Sequence, residues 1–392
     1  MFRKVRYYIF LRDVLILAVT AFGGPQAHIA MFLDLLVKKR GYLSEEDLIE
    51  LNALCNILPG PTSTQTITAV GFKIGGPNLA YLTLLIWMVP AVTIMTIAAI
   101  TISNLQEQNI SIEFTRFIQP MAVGFVAFAG YKIAKKVIHS TLGFGLMIAS
   151  AIVSLFFGSP YVFPIVLVAG GLITSLNYKA HAIEEKDKIK IQWGNFILWA
   201  SVFVLAAALG GLTRALPVRL FENFYRNGSL IFGGGQVLIP FLYTEFVEFK
   251  QYLTSEEFLS GYALMQSLPG PVFSFCAYVG SLSMREYGVG GEIVGAISAS
   301  LGIFLPGAFL IFFVIRFWDS LKKYRRVKAS LEGINAVSSG MVIAAAIILF
   351  LPLEPNYLNF GITISTFLIL MFTKIPSPLL IVAGLLGGII IS

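Results

Sequence analysis

Long apolar runs dominate this chain, and they do not alternate with polar positions. The clearest are Leu79 to Ile102, Leu142 to Phe157 with its neighbour Val162 to Leu176, and Gly361 to Phe372 with Leu379 to Ile391. About 20 apolar residues suffice for a helix to cross the hydrocarbon core of a bilayer. Strands of a membrane barrel would instead alternate over short segments. The pattern predicts an all-α polytopic membrane protein. Two kinds of break interrupt it. "FGGPQ" (Phe22 to Gln26) returns as "FGGGQ" (Phe232 to Gln236), and "LPGP" (Leu58 to Pro61) returns as "LPGP" (Leu268 to Pro271).

Both breaks recur at a spacing of 210 residues. When residues 22–61 are laid over 232–271 without gaps, 15 of 40 positions are identical. With a small insertion the register continues, Pro90 falling on Pro306 and Pro160 on Pro376. The matches cluster at glycine and proline, which points to an internal duplication. It divides the chain into a first repeat, 1–178, a polar linker with one extra span, 179–213, and a second repeat, 214–392.

Charge orients the copies, because Lys and Arg favour cytoplasmic loops. Ser103 to Arg116 carries one basic residue. Its counterpart, Asp319 to Ser330, carries Lys322, Lys323, Arg325, Arg326 and Lys328. Tyr131 to His139 holds Lys132, Lys135 and Lys136, while its counterpart Leu349 to Tyr357 holds none. Val37 to Gly41 is more basic than Val247 to Gln251. The bias flips in all three pairs, so inverted topology is expected. The extra span Trp193 to Leu212 would supply the inversion. Arg214, Arg219 and Arg226 run against this bias.

Composition agrees with a membrane location. Of 392 residues, 57% are hydrophobic and only 12% charged, against about 25% charged in soluble domains; mean hydropathy is +0.81. The net charge of +7 reflects basic loops, so no nucleic-acid partner is expected. The basic N-terminus lacks a small-residue cleavage site, and no signal peptide is expected. Cys55 and Cys276, without histidine partners, read as small buried residues, and no metal or other cofactor is expected. No phosphate loop, His-Glu-x-x-His or paired catalytic acids occur, so an enzyme is not expected.

Inverted repeats with interrupted helices point to a secondary transporter whose site lies at the breaks. Irregular backbone at membrane depth is tolerated only in protein or beside a wet cavity. New helices are expected to start at Gln26, at Gln236 and at Thr62-Ser63-Thr64-Gln65. Their free N–H groups would form an anion site. The candidate substrate-binding residues are Gly23, Gly24, Gln26, Pro59, Gly60, Pro61, Thr62, Ser63, Gly233, Gly234, Gln236, Pro269, Gly270 and Pro271. Val272 and Phe273 replace Thr62 and Ser63, so more side-chain donors are expected from the first copy. His28, Lys73 and Arg285 are candidates for attracting charge, with snorkelling as the competing role of Lys73 and Arg285. Asp34, Glu46 and Glu256 are candidates for a coupling proton, although Ser44 and Thr254 before the acids favour helix capping. Ile29 to Val37 and Leu48 to Ile57 are too short to span, and read as re-entrant segments or halves of broken spans.

These motifs, "FGGPQAHIAMF", "GYLSEEDLIELNALCNILPGPTSTQ", "FGGGQVLIPFL", "YLTSEEFLSGYALMQSLPGP" and "GIFLPGAFLIF", resemble the chromate transporter family over nearly the whole chain. The resemblance implies two homologous halves and efflux of chromate from the bacterial cytoplasm, driven by the membrane potential or a proton gradient. Thr62-Ser63-Thr64 stand where many members carry an acid, which departs from the family pattern. The expected protein is thus an inner-membrane secondary transporter of chromate or a similar oxyanion, working by alternating access. A carrier of sulfate or another anion, or a passive channel, is the alternative. Its expected partners are the oxyanion and the lipid bilayer, with a homodimer left open.

Overall fold

The computed structural model describes residues 2–108, 113–157, 159–176, 191–232, 234–321 and 324–391. Among these residues every regular element is helical. The first half contains α1 (Phe2–Thr20), α2 (Gly24–Phe32) running on as a π-helical stretch (Leu33–Lys39), α3 (Glu45–Ile57) and α4 (Thr62–Glu107). It continues with α5 (Ile118–Val137), α6 (Thr141–Phe156) and α7 (Val162–Leu176). The extra span is α8 (Gly194–Thr213). Then come α9 (Leu216–Leu230), α10 (Leu238–Leu242) with its own π-helical stretch (Tyr243–Phe249), α11 (Ser255–Gln266), α12 (Phe275–Leu282) and α13 (Gly288–Val314). The chain ends with α14 (Trp318–Leu321), α15 (Arg325–Phe350), α16 (Tyr357–Phe372) and α17 (Ser377–Ile391).

Five of the described helical stretches are long and apolar enough to cross a membrane: Thr62–Glu107, Glu113–Val137, Gly194–Thr213, Arg285–Val314 and Arg325–Phe350. Large apolar side chains stay exposed along α8, α16 and α17, as lipid-facing surfaces require. The chain is an all-α, multi-pass membrane protein. The Tyr178 to Gln192 linker, apart from its last two residues, lies outside the described residues, as do Lys322, Lys323 and Gly233.

The duplication is written into the backbone. The two π-helical stretches begin 210 residues apart, at Leu33 and Tyr243. Gly41 (φ 60°) answers Gln251 (φ 54°), and Gly60 (φ 114°) answers Gly270 (φ 95°). At the start of α3, Ser44 and Asp47 exchange side-chain to backbone hydrogen bonds. Thr254 and Glu257 do the same at α11. Both are capping boxes, and each satisfies N–H groups a helix start would leave open. The acids that close them are Asp47 and Glu257. Glu256 instead accepts from Gln119 at 3.2 Å, and Asp34 pairs with Lys38 on the exposed surface.

The chain forms two compact units, and each draws on both sequence halves. One contains Met1–Glu107, Gln192–Gly235 and Met265–Arg316; the other contains Gln108–Ile191, Gln236–Leu264 and Phe317–Ser392. In the first unit α9 packs along α13, and α1, α12 and α13 pack on α4. In the second, α15 is central and carries α5, α6 and α7 around it.

The twin hairpins fall in different units. The first, α2 to α3, is tied into the first unit by charged and polar pairs. Asp13 of α1, fully buried, takes Arg40 Nε at 2.8 Å, Arg40 Nη2 at 2.8 Å and the Tyr42 hydroxyl at 2.8 Å. Lys73 of α4 meets Asp47 at 2.6 Å. The second hairpin, α10 to α11, carries substitutions at the matching places. Asn223 stands for Asp13, and Lys250 for Arg40. Lys250 pairs within its own hairpin, with buried Glu245 at 2.8 Å. That hairpin meets the second unit instead: Ser260 donates to Thr115 at 3.0 Å, and Phe241 stacks on Phe163 at 4.7 Å. The two hairpins are thus held by different pairs, each within its own unit.

Candidate functional site

Each break forms where proline removes a donor and glycine takes a left-handed conformation. Gly23 (φ 89°) and Gly24 (φ 76°) turn the chain into α2, with Pro25 in its first turn. Pro59-Gly60-Pro61 ends α3 and opens α4 at Thr62, as expected. Pro269-Gly270-Pro271 opens into a single 3-10 turn, Val272–Ser274, before α12. The fourth break departs from expectation. After Gly234 (φ 98°) the chain makes a turn, and α10 starts at Leu238 rather than at Gln236. Gln236 Oε1 accepts the Tyr262 hydroxyl at 2.7 Å within its own hairpin.

Within the first unit the breaks meet crosswise. The Gly60 N–H donates to Ile231 O, just before Phe232, at 2.7 Å; the Gly270 N–H donates to Ala21 O, just before Phe22, at 2.9 Å. Each member is the other pair's twin, 210 residues on. Packing repeats the exchange. A Cβ on Gly60 would lie 3.6 Å from Gly307, which follows Pro306; a Cβ on Gly270 would lie 3.2 Å from Ala91, which follows Pro90. Each contact between the copies thus has a counterpart with the partners exchanged.

At the centre lies the N-terminus of α4, and its polar side chains are buried: Thr62 is 7% exposed, Ser63 4%, Thr64 2% and Gln65 2%. The first intrahelical bond here runs from Gln65 N–H to Pro61 O. The N–H groups of Thr62, Ser63 and Thr64 precede it and have no intrahelical acceptor. Such an end carries about half a positive charge. Most of the hydroxyls are engaged. Thr66 and Thr68 bond back to Thr62 O and Thr64 O, and Thr64 Oγ1 accepts the Trp87 indole N–H at 3.1 Å.

His28 is buried against this helix. Its Nε2 lies 3.1 Å from Ala21 O and its Nδ1 3.0 Å from Ser63 Oγ. A carbonyl only accepts, so Nε2 carries the proton; in the neutral ring Nδ1 then accepts from the Ser63 hydroxyl. The Trp87 ring stands edge-on at 5.4 Å. Lys73 is about half exposed and paired with Asp47; Lys73 and the Ser44 cap hold the Asp47 carboxyl below its ordinary range. Arg285 reaches Gln106 at 3.4 Å. Of the three charge candidates, only His28 touches the α4 N-terminus. Sequence reasoning missed Trp87, Ala91 and Gly307, which no motif marks. It also missed Asp13, a charge in an apolar helix and thus a visible signal. Among the described residues no cluster of His, Cys, Asp or Glu could hold a metal ion.

A multi-pass helical membrane protein whose broken helices meet inside one unit has the build of a secondary transporter. The chain belongs to the chromate transporter family, whose model matches residues 9–175 and again 218–389. That is a transporter family, not an enzyme family. The chain is 26% identical to an uncharacterized transporter of Methanocaldococcus jannaschii, over 96% of this chain and 92% of that one. It is 27% identical to the chromate transport protein of Pseudomonas aeruginosa, over 83% and 77%. An uncharacterized transporter of Bacillus subtilis aligns at 26% identity with 45% of this chain, through 98% of its own length. No solved structure matches.

Proposed function

We propose that the protein carries chromate or a closely similar oxyanion out of the bacterial cytoplasm across the inner membrane, by alternating access between two inverted repeats. The reciprocal pair Gly60–Ile231 and Gly270–Ala21 carries this reading. It gathers helix breaks from both copies around the buried N-terminus of α4, which supports an anion site with no fixed cation. The substrate follows the names of the relatives, of which the Pseudomonas aeruginosa protein is a chromate transport protein. Inversion rests on the flipped loop charges and on α8, an unmatched span between the copies. Alternating access needs two copies that are inequivalent in any one state. The twin hairpins, tied into different units, supply that inequivalence.

The test is accumulation of labelled chromate in inverted membrane vesicles under an imposed pH gradient or potential. Accumulation should respond to at least one of them, and Gln26→Ala should weaken it. Chromate flux that only follows its own gradient would make the protein a passive channel. Equal accumulation of sulfate would make it a general oxyanion carrier.

A further inference from the structure

The side chain of Gln65 folds back over the break that precedes its own helix. Its Nε2 donates to Pro59 O at 2.6 Å. A carbonyl oxygen offers no proton, so the orientation of the amide is determined: the NH2 faces Pro59, and Oε1 faces away from it. Gln65 is 2% exposed. Its Oε1 is buried and has no hydrogen-bond partner among the described residues. Two glycines make room for this amide. A Cβ on Gly60 would come within 2.8 Å of Gln65 Nε2, and one on Gly307 within 2.7 Å. The amide therefore lies between the break and α13, at the helix start where the N–H groups of Thr62, Ser63 and Thr64 gather.

The site thus presents several backbone N–H donors and, in Gln65 Oε1, a buried acceptor that can only accept and has no partner among the described residues. A fully deprotonated tetrahedral oxyanion has four oxygens that accept and nothing to donate. Set against Oε1, it would bring two lone pairs together and leave Oε1 unpaired, at the cost of a buried polar group without a partner. A monoprotonated oxyanion has one O–H, which Oε1 can take while the N–H groups hold the remaining oxygens. We propose that the protein binds the monoprotonated form of its oxyanion, with Gln65 Oε1 accepting the substrate's proton-bearing oxygen. This rests on reading the α4 N-terminus as the oxyanion site. The position matching Gln65 in the second copy is Phe275, so the two copies together offer a single acceptor of this kind, matched to a single proton.

Selectivity follows from acidity. Chromate, phosphate and arsenate titrate near neutral pH, so a protonated form is present there, whereas sulfate and selenate lose their last proton except in strong acid. A site that rejects a ligand lacking one hydrogen bond can discriminate by about 10⁴-fold. The same discrimination would separate chromate from sulfate, which is tetrahedral and similar in size but has no proton to donate.

The elements that pack on α4 or supply the breaks also carry charged or ionisable groups. They are His28 on α2, Asp13 on α1 with its partner Arg40, Lys73 further along α4 with its partner Asp47, and Arg226 on α9 before Ile231. On α13 the one ionisable side chain, Glu292, lies 15 residues before Gly307. A change of charge on any of these would move the affinities for chromate and sulfate in the same direction, whereas substrate protonation affects only anions that titrate near neutrality.

The experiment is equilibrium dialysis of the purified full chain in detergent, without any gradient, against labelled chromate and labelled sulfate from mildly acidic to mildly alkaline pH. Apparent chromate affinity should fall about tenfold per pH unit once total chromate is mostly deprotonated, and sulfate should bind weakly throughout. In Gln65→Met the chromate slope should flatten and its preference over sulfate should shrink. Chromate affinity that does not change with pH, or sulfate bound as tightly as chromate by the unaltered protein, would overturn the proposal and leave an oxyanion site. A parallel fall in both affinities would assign the pH dependence to the protein, and also overturn it. If neither anion binds at any pH, the oxyanion site itself is wrong. The unaltered protein decides the matter even if the variant fails to fold.

Discussion

Replacing Arg40 by Ala tests how the first hairpin is held. Asp13 is fully buried, and three of its contacts are Arg40 Nε, Arg40 Nη2 and the Tyr42 hydroxyl, each at 2.8 Å. Burial, and then the bond to Asp13, push the Tyr42 phenol up to about 12, so it remains a donor at any working pH. In Arg40→Ala the phenol alone would face a buried carboxylate. Breaking a buried ion pair from one side costs about 3–5 kcal/mol. The Arg40 side chain is 35% exposed, so water can enter its place, and the lower end, about 3 kcal/mol, applies. If the cost is local to the hairpin, opening around Arg40 to Ser44 should rise on the order of a hundredfold. Hydrogen exchange of that peptide measures this. The sharper expectation is an order. Asp13→Asn installs the residue the second copy already uses at Asn223, and removes the stranded charge. The double variant Asp13→Asn/Arg40→Ala should therefore exchange more slowly than Arg40→Ala alone. If the double variant opens as much as the single one, or more, the stranded charge is not what destabilises the hairpin.

Gly60→Ala should abolish transport, because φ is 114° and its Cβ would strike the Gln65 amide, whereas Gly24→Ala should be milder, since its φ of 76° costs strain but its Cβ would meet open space; equal losses in a chromate flux assay would contradict this. Ser63→Ala should destabilise the protein by about 1–3 kcal/mol by leaving His28 Nδ1 without its donor. The pair His28→Leu/Ser63→Ala should be closer to neutral, because both partners are then apolar, and thermal unfolding in detergent reads the order. Lys73→Ala should leave the KM for the transported anion unchanged and cost less than about 1 kcal/mol, as water reaches both partners of its pair with Asp47, whose side chains are 45% and 32% exposed. A clear rise in KM would return Lys73 to the substrate path.

Much of this protein is legible in the chain. Apolar runs long enough for a bilayer have no soluble alternative, so fold class follows from composition and length. Backbone irregularities follow nearly as directly, because they depend on local chemistry. Pro-Gly-Pro, Gly-Gly and the Ser-x-x-Asp and Thr-x-x-Glu boxes act within a few residues, and the structure repeats them 210 residues apart. The helix expected at Gln236 fails for a related reason: Gly234 and Gly235 extend the turn, and α10 begins at Leu238. What stayed hidden depends on neighbours distant in sequence. The exchange of Gly60 with Ile231 and of Gly270 with Ala21 needs the two copies folded against each other, and no pattern within one copy records it. The same holds for the assignment of each hairpin to its unit. It goes with isolated differences, Asp13 against Asn223 and Arg40 against Lys250, whose meaning lies in their partners. Gln65 belongs to both stories. Its place after Pro61 was visible in the sequence, but which of its amide atoms remains unpaired was settled only by the tertiary position of the Pro59 carbonyl.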